Sequence, residues 1–148
     1  MLPKNYFLFA LGRGSLLPKL IEQCKNLGIS ERVVFTGFVG RDEIWNYYQD
    51  ADAFVLLSHA EALGVVFWEA MYIHVPVIGS DFPGIMETTG IDGDRGRVWN
   101  RVLGQTGFTE RVSFCINESD TKKEMIARAR TFVDKELSNR ITINNLFT

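Results

Sequence analysis

The sequence predicts an α/β protein with an open, doubly wound, Rossmann-like parallel sheet and a helix near its C-terminal end. Short apolar runs alternate with segments whose apolar residues recur at helical spacing. The connections between the runs are too long for hairpins, so the strands should pair in parallel through crossovers. In such sheets a ligand binds beyond the carboxyl ends of the strands. The turns that follow the strands are therefore the candidate ligand-binding site.

Five runs are predicted as strands. The first is continuously apolar and ends at Gly12, which is typical of a strand covered on both faces. The predicted strands are residues 6–11, 32–36, 53–57, 75–78, which Gly79 and Ser80 should break, and 96–99 at an edge. The glycine-containing segments that follow the first four strands are 12–15, 37–40, 58–64 and 79–84. A ligand site should be built from these segments.

The helices are predicted from apolar periodicity and from their capping residues. They cover residues 16–27, which stop at Gly28, then 44–50 after a plausible N-cap at Asp42, then 65–73, 84–89 and 121–137. Thr121 and Glu124 have the spacing of a capping box for the last of these. Residues 100–118 are expected to be irregular, with a weak strand signal at 112–116, and the last ten residues are expected to form a packed tail.

Composition limits the class of protein. A chain of 148 residues should form one domain spanning 1–148, and its net charge of -2 without a basic cluster disfavours nucleic acid as a partner. Cys24 and Cys115 lack CxxC spacing, which argues against a zinc site and a disulfide scaffold. No apolar run approaches the roughly 20 residues of a membrane span. We expect a cytoplasmic protein, and the early first strand hints that further sequence precedes it.

The segment around Glu69 has the most informative chemistry. From Val65 to Ile73 every residue except Glu69 is apolar, which predicts a helix in the protein interior. A lone acid there costs several kcal/mol unless something pairs with it. The partner is either another protein side chain or a ligand.

The start of this helix suits a phosphate. Its first N–H groups have no intrahelical partners and the helix dipole adds positive charge, while Gly64 lets the backbone approach a ligand. Glu69 follows at roughly 7 Å along the axis, at 1.5 Å per residue, where it could accept hydrogen bonds from a ribose. Alternatively, Glu61 only complements the dipole and Glu69 pairs with an internal arginine or tyrosine hydroxyl. The residues alone leave both readings open.

The run EALGVVFWEAMYIHVPV at 61–77 resembles the E-x7-E signature of family 4 retaining glycosyltransferases. The likeness continues in ERVVFTGFV at 31–39, YYQDADAFVLLS at 47–58 and SDFPGIME at 80–87. It implies the C-terminal half of a two-domain GT-B enzyme, the half that holds a nucleotide-sugar donor such as a UDP- or GDP-hexose.

The resemblance also implies residue roles. Glu69 would bind the ribose, and Glu61 would be the catalytic-site acid facing the donor sugar near its anomeric carbon. The other implied donor-binding residues are Leu63, Gly64 and Val65 at the diphosphate, Phe38 and Val39 at the nucleobase, Gly12 and Gly14 in the first turn, and Ser58 and His59 as nearby candidates. Transfer in the family retains the anomeric configuration and is expected to need neither a metal nor a cofactor.

The chain departs from the family pattern in several ways. The family's diphosphate-binding arginine and lysine would lie upstream of Tyr6, the acceptor domain is absent, and His74 and Pro83 stand where glycine is usual. We therefore expect this chain to bind donor with little turnover, with the missing N-terminal domain or a partner chain supplying the rest and any membrane contact made through that absent half. The intact enzyme would transfer a hexose to a glycan or lipid-linked acceptor. The alternatives are a non-catalytic subunit of a split glycosyltransferase and a GT-B sugar-nucleotide epimerase, for which no extra acid and base residues stand out.

Overall fold

The computed structural model describes residues 5–59, 64–90 and 93–146, with side chains up to residue 139. Two compact units, Met1–Tyr47 and Tyr48–Thr148, are distinguished by their internal contacts. Each is described separately below. The sequence predicted one domain, and whether the two units act as one stays a prediction.

The first unit contains a two-stranded parallel sheet. Strand β1 (Leu8–Leu11) leads through a glycine turn into helix α1 (Leu17–Asn26), and a 3₁₀ turn at Ser30–Arg32 precedes β2 (Val33–Gly37). Leu8 pairs with Val33 and Ala10 with Phe35 in register. This is the predicted strand–turn–helix–strand unit with parallel pairing. Helix α2 (Ile44–Gln49) follows β2 and crosses the boundary between the units.

The prediction that the first strand is covered on both faces is wrong for the structure of this chain. The side chains of Phe7, Leu8 and Phe9 are 51 to 60% exposed, and α1 has no buried residue. Within its own unit β1 pairs only with β2 among the described residues, and a two-stranded sheet cannot cover an apolar strand on both faces.

The second unit contains a three-stranded parallel sheet in the order β3-β4-β5. Its strands are β3 (Phe54–Leu56), β4 (Val77–Ser80) and β5 (Arg97–Trp99), its crossover helices are α3 (Val65–Tyr72) and α4 (Pro83–Thr89), and a 3₁₀ turn at Arg101–Leu103, α5 (Gly104–Ile116) and α6 (Asp120–Leu146) complete it. The predicted α/β class with parallel strands and a C-terminal helix is confirmed. In the described ranges no helix is long and apolar enough to cross a membrane.

The core of the second unit lies between the sheet and helices α3, α4 and α6. Val77, Ile78 and Ile85 are completely buried. On the far side of α3, Trp68 meets Phe132 of α6 edge to face at 6.1 Å between ring centroids. Because aromatic pairs in this geometry add to area burial, this contact holds α6 against α3.

Several predicted boundaries are corrected. Gly79 and Ser80 continue β4, where they pair with Val98 and Trp99. Gly79 is tolerated there because a Cβ would lie 2.3 Å from Ile85 Cγ2, so only glycine lets α4 pack this closely on the strand. Residues 139–146 belong to α6, which continues to Leu146, and do not form the predicted packed tail. Its start is capped by Ser119, whose hydroxyl accepts from the Lys122 N–H at 3.1 Å, and not by the predicted Thr121–Glu124 box.

The prediction of irregular structure at 100–118 is also wrong, because Gly104–Ile116 is helix α5. The alternating apolar residues at 112–116 suggested a strand. The buried positions, however, are Gly107, Val112 and Cys115, which recur at helical and not at strand spacing. Burial raises the pKa of the Cys115 thiol to about 12, so it is a protonated packing residue at neutral pH.

Helix α3 ends in a Schellman motif formed on a non-glycine residue. The His74 N–H donates to the Met71 carbonyl at 3.1 Å and the Val75 N–H to the Ala70 carbonyl at 3.0 Å. His74 has a φ of 65°, the only positive value among the described non-glycine residues. The family's usual glycine at this position therefore has a conformational explanation: the residue after the helix must be left-handed.

We predict that His74→Gly stabilises the chain by about 1 kcal/mol, because glycine adopts the left-handed conformation without the steric cost of a Cβ. The midpoint of thermal unfolding should rise by about 2 to 4 °C for a chain of this size. His74→Ala is the matched control, since it removes the exposed imidazole and keeps the Cβ. Equal shifts for the two variants would refute the conformational explanation.

Candidate functional site

The carboxyl ends of β3 and β4 are joined at the predicted site. The Ser80 hydroxyl, at the end of β4, donates a short hydrogen bond to the backbone carbonyl of Ser58, which follows β3. This bond fixes the path of the chain as it leaves the sheet. Ser58 is half-buried, and His59, the next residue, is exposed. The predicted pair Ser58 and His59 therefore stands at the strand end from which the α3 connection departs.

Helix α3 starts from a glycine in the left-handed conformation. Gly64 has φ 54° and ψ 45°, and its carbonyl accepts from the Phe67 N–H at 2.8 Å in a tight first turn. A Cβ at Gly64 would lie 2.8 Å from the Phe67 ring. The glycine is therefore required by its conformation and by the packing of Phe67, which adds a structural reason to the ligand approach expected from the sequence. Val65, the first residue of the helix, is 50% exposed.

Glu69 is only partly removed from solvent. Helix α3 buries Phe67, Trp68, Ala70 and Met71, while Tyr72 is 41% exposed and Glu69 is half-buried. The prediction of a helix buried on every face is thus wrong: the sheet and the other helices cover one side of α3. The free-energy cost of removing a carboxylate from water is much smaller near the uncovered side of α3 than in the interior.

The partner of Glu69 is Tyr48. The Tyr48 hydroxyl donates to Glu69 Oε2 at 3.1 Å and lies 3.4 Å from the Val66 carbonyl. Tyr48 itself is 5% exposed, and its ring contacts Phe54 edge to face at 5.6 Å. The partner of Glu69 was expected to be either a protein side chain or a ligand, and the structure shows a protein partner, the tyrosine hydroxyl. A carboxylate can accept about four hydrogen bonds, so this contact does not exclude a ligand hydroxyl.

Tyr48 remains a hydrogen-bond donor over the whole neutral range. Burial, and then the neighbouring Glu69 carboxylate, raise the pKa of the Tyr48 hydroxyl well above its ordinary value. Its contribution to stability is fully present below the ordinary tyrosine pKa of about 10. That contribution is lost only as the pH rises through the higher folded-state pKa, because the unfolded chain then binds fewer protons than the native one.

Sequence reasoning missed an arginine that contacts the segment after β3. Arg101, in the 3₁₀ turn after β5, places Nη2 3.0 Å from His59 Nε2. The arginine N–H donates, so His59 accepts through Nε2. The segment that holds Arg101 was predicted to be irregular, and the sequence contains no signal that pairs it with a residue 42 positions earlier. The contact brings a cation to the loop that leads to α3.

The first unit brings the other predicted residues together. The Gly12 N–H donates to the Gly37 carbonyl at 2.8 Å, which joins the glycine turn to the end of β2. The Arg13 guanidinium carbon lies 5.9 Å from the centroid of the Phe38 ring, and Phe38 is 72% exposed. Val39 is half-buried, and a Cβ at Gly14 would meet no atom within 4 Å. These residues form an open edge of the unit, and their roles in binding stay predictions.

Glu61 and Leu63 lie outside the described residues, so their predicted roles also stay predictions. Comparison with known proteins addresses the family instead. The model of the glycosyl transferases group 1 family matches residues 2–132. The chain belongs to this family.

Two curated relatives are similar to this chain over most of its length. An uncharacterised glycosyltransferase of Methanocaldococcus jannaschii is 33% identical over 121 residues, which cover 73% of this chain and 30% of the relative. The N-acetyl-alpha-D-glucosaminyl L-malate synthase of Bacillus anthracis is 29% identical over 141 residues, which cover 95% of this chain and 36% of that enzyme. The chain thus spans about a third of the length of these relatives.

Solved structures show the same fold. The Anabaena protein HepE in complex with UDP and glucose matches with a TM-score of 0.80 at 21% identity, over 99% of this chain and 42% of that one. WaaG, a glycosyltransferase involved in lipopolysaccharide biosynthesis, matches with a TM-score of 0.72 at 23% identity, over 88% of this chain and 34% of that one. The resemblance inferred from the sequence is thus confirmed, at the level of family by the family model and at the level of fold by these structures.

We predict that Tyr48 and Glu69 are energetically coupled. Tyr48→Phe and Glu69→Ala should each lower the free energy of unfolding, by about 1 to 2 kcal/mol for the lost hydrogen bond. Together they should lower it by about 1 kcal/mol less than the sum, as measured by urea unfolding in a double-mutant cycle. Tyr72→Phe, which removes a hydroxyl from an exposed tyrosine of the same helix, is the control. Strict additivity would show that the bond contributes nothing.

Proposed function

We propose that this chain is the donor-binding part of a retaining group 1 glycosyltransferase and that it binds a nucleoside diphosphate sugar. The observation that carries the proposal is the geometry of α3. Its N-terminus opens at a left-handed glycine, and a half-buried carboxylate stands five residues further along, held by a tyrosine hydroxyl. Structural neighbours solved with UDP and with UDP and glucose support a donor of this class.

The proposed division of roles follows the chemistry of the segment. The first amides of α3, from Gly64 and Val65, bind the diphosphate, because a helix N-terminus favours anions. Glu69 accepts hydrogen bonds from the ribose hydroxyls. Tyr48, which occupies one oxygen of Glu69, orients the carboxylate for them. Glu61 faces the donor sugar.

Arg101 extends this proposal. The family's diphosphate cations are expected upstream of Tyr6, and such cations supply a stabilisation commonly worth several kcal/mol. Arg101 reaches the same loop through His59. We assign it the role of a phosphate cation for the donor, which acts beside the helix dipole.

The transfer itself is proposed for the whole protein. A hexose would pass to a glycan or lipid-linked acceptor with retention of configuration, and the acceptor would be held by sequence that this chain does not include. Alone, the chain should bind donor and turn over little.

A second candidate shares the donor site but differs in what completes it. In a split glycosyltransferase this chain would be a subunit that functions beside another polypeptide. The exposed apolar residues of the first unit favour it, since contiguous apolar surface marks interaction sites. They include Phe7, Leu8 and Phe9 of the first strand region and Leu16 and Leu20 before and within α1.

The donor site is tested by calorimetric titration of the chain with UDP, GDP and ADP. We expect at least one of them to bind, and Glu69→Ala to weaken binding about tenfold, because a hydrogen bond to a charged group contributes about 1.5 to 3 kcal/mol. Glu87→Ala is the matched control, since Glu87 is an exposed glutamate on α4. If binding survives Glu69→Ala undiminished, the ribose assignment fails. If no nucleotide binds even when the N-terminal portion of a relative is supplied, the proposal fails.

The role of Arg101 is tested by comparing UDP with uridine. Arg101→Gln should weaken UDP binding about three- to tenfold and leave uridine binding unchanged, because only UDP carries the charge that the arginine stabilises. The loss should shrink at high salt. Arg128→Gln controls for the loss of one positive charge. Arg128 lies on α6 and forms an ion pair with Asp94. Equal effects of Arg101→Gln on UDP and uridine would rule out a phosphate contact.

A further inference from the structure

The second unit contains a cavity alongside its edge strand β5, which extends from Gly93 before the strand to the residues that follow β4 and β5. It has a volume of about 540 Å³. Asp81, the first residue after β4, and Asn100, the first after β5, lie on its wall together with Arg97 and Arg111, and Met86 and Leu103 provide apolar surface. A cavity of this size fits a small ligand. Its lining does not include Glu69 or Gly64 of the proposed donor site, although Asp81 and Asn100 directly adjoin Ser80 and Arg101.

Arg97 is the least compensated charge on this wall. Its guanidinium carbon lies 4.7 Å from the centroid of the Phe114 ring. Its Nε is withdrawn from solvent without a hydrogen-bond partner in the described part of the chain. No carboxylate there forms an ion pair with it, whereas Arg95, Arg111, Arg128 and Arg130 each have one within 4.0 Å. A guanidinium partly removed from water requires an anion or an acceptor to offset the lost hydration.

Arg111 supplies a second cation with a fixed position. Its Nε donates to the Val98 carbonyl and its Nη1 to the Gly107 carbonyl at 3.1 Å. Its side chain is 17% exposed, and the nearest carboxylate, Glu110 at 4.0 Å, is itself 70% exposed. Among the described lining residues, two guanidinium groups stand against the single carboxylate of Asp81. A planar guanidinium held in place is well suited to bind a carboxylate or phosphate.

The remaining polar groups suit hydroxyls. Asn100 Oδ1 accepts from the Leu103 N–H at 3.1 Å, which orients the side chain and leaves its amide group to act as a donor. Asp81 is an exposed carboxylate and accepts from O–H groups.

We propose that this cavity is a second ligand site, which binds an oxyanion carried by a small hydroxylated molecule. Arg97 and Arg111 bind the oxyanion, and Asp81 and Asn100 bind the hydroxyls. The oxyanion could belong to a sugar phosphate or to a hydroxy acid, which share this chemistry. The proposal stands independently of the donor site.

The wild-type chain provides the direct test. In a titration followed by ¹H–¹⁵N NMR of the arginine side chains, millimolar glucose 6-phosphate should shift the Arg97 Nε–H resonance. Gluconate in place of glucose 6-phosphate distinguishes the carboxylate from the phosphate source. Inorganic phosphate should bind more weakly, and glucose without an anion should not shift the resonance. Failure of glucose 6-phosphate and gluconate alike to move it would overturn the proposal, whatever any variant does.

Variants locate the site. Arg97→Gln should weaken binding of glucose 6-phosphate about tenfold or more, while Arg32→Gln, an arginine of the first unit, should leave it unchanged. Circular dichroism checks that each variant is folded.

Competition separates this site from the donor site. Binding of glucose 6-phosphate should persist in saturating UDP and in Glu69→Ala. Its loss in either case would mean that the anion occupies the donor site and would refute a second site. Conversely, failure of UDP to bind would leave the Arg97 result intact, so the two proposals can fail separately.

Discussion

The packing of one aromatic ring determines the geometry of the candidate donor site. Phe67 is completely buried, and its ring lies where a Cβ of Gly64 would stand, at 2.8 Å, and close to where a Cβ of Gly79 would stand, at 3.3 Å. Phe54 of β3 meets it edge to face at 5.4 Å. The ring therefore contacts the start of α3, the middle of β4 and β3 at once. Because interiors are close-packed, a side chain at Gly64 would displace the Phe67 ring, and one at Gly79 would displace Ile85 of α4 and crowd the same ring.

The same ring connects the core to the polar chemistry. Phe67 contacts Phe54, Phe54 contacts Tyr48, and the Tyr48 hydroxyl reaches Glu69, two residues after Phe67 on α3. The contacts of Phe67, Phe54 and Tyr48 thus connect the start of α3 to the carboxylate of Glu69 on the same helix. A tyrosine suits this position, because its apolar ring packs against the core and its polar hydroxyl binds the carboxylate. The conformation of Glu69 is in this way set by the core as well as by the helix that carries it.

Much of this could be predicted from the sequence, and the reason is local. The strands before the glycine turns, the helix that starts at Val65 and the acid on it are properties of short segments with clear periodicity. The contact of Tyr48 with Glu69 joins residues 21 positions apart, and the residues alone allowed arginine as well as tyrosine. Residues 104–116 were predicted wrongly because apolar alternation at 112–116 fits a strand locally, while burial of Val112 and Cys115 selects the helix. Tertiary packing decided both cases, and no local pattern records it.

The local arrangement of positive charge in the second unit also depends on tertiary structure. Arg97, Arg101 and Arg111 lie on a strand, on a 3₁₀ turn and on a helix, so in the sequence they form neither a cluster nor a motif. Folding places Arg101 against His59 after β3, and Arg97 and Arg111 on the wall of the cavity alongside β5. Arg101 lies just after the carboxyl end of β5, the edge at which an open α/β sheet binds its ligands, whereas Arg97 begins that strand. The net charge is -2 and the sequence has no basic cluster, but a few arginines brought together from separate elements are sufficient for small anions, because binding depends on local charge and geometry and not on the total.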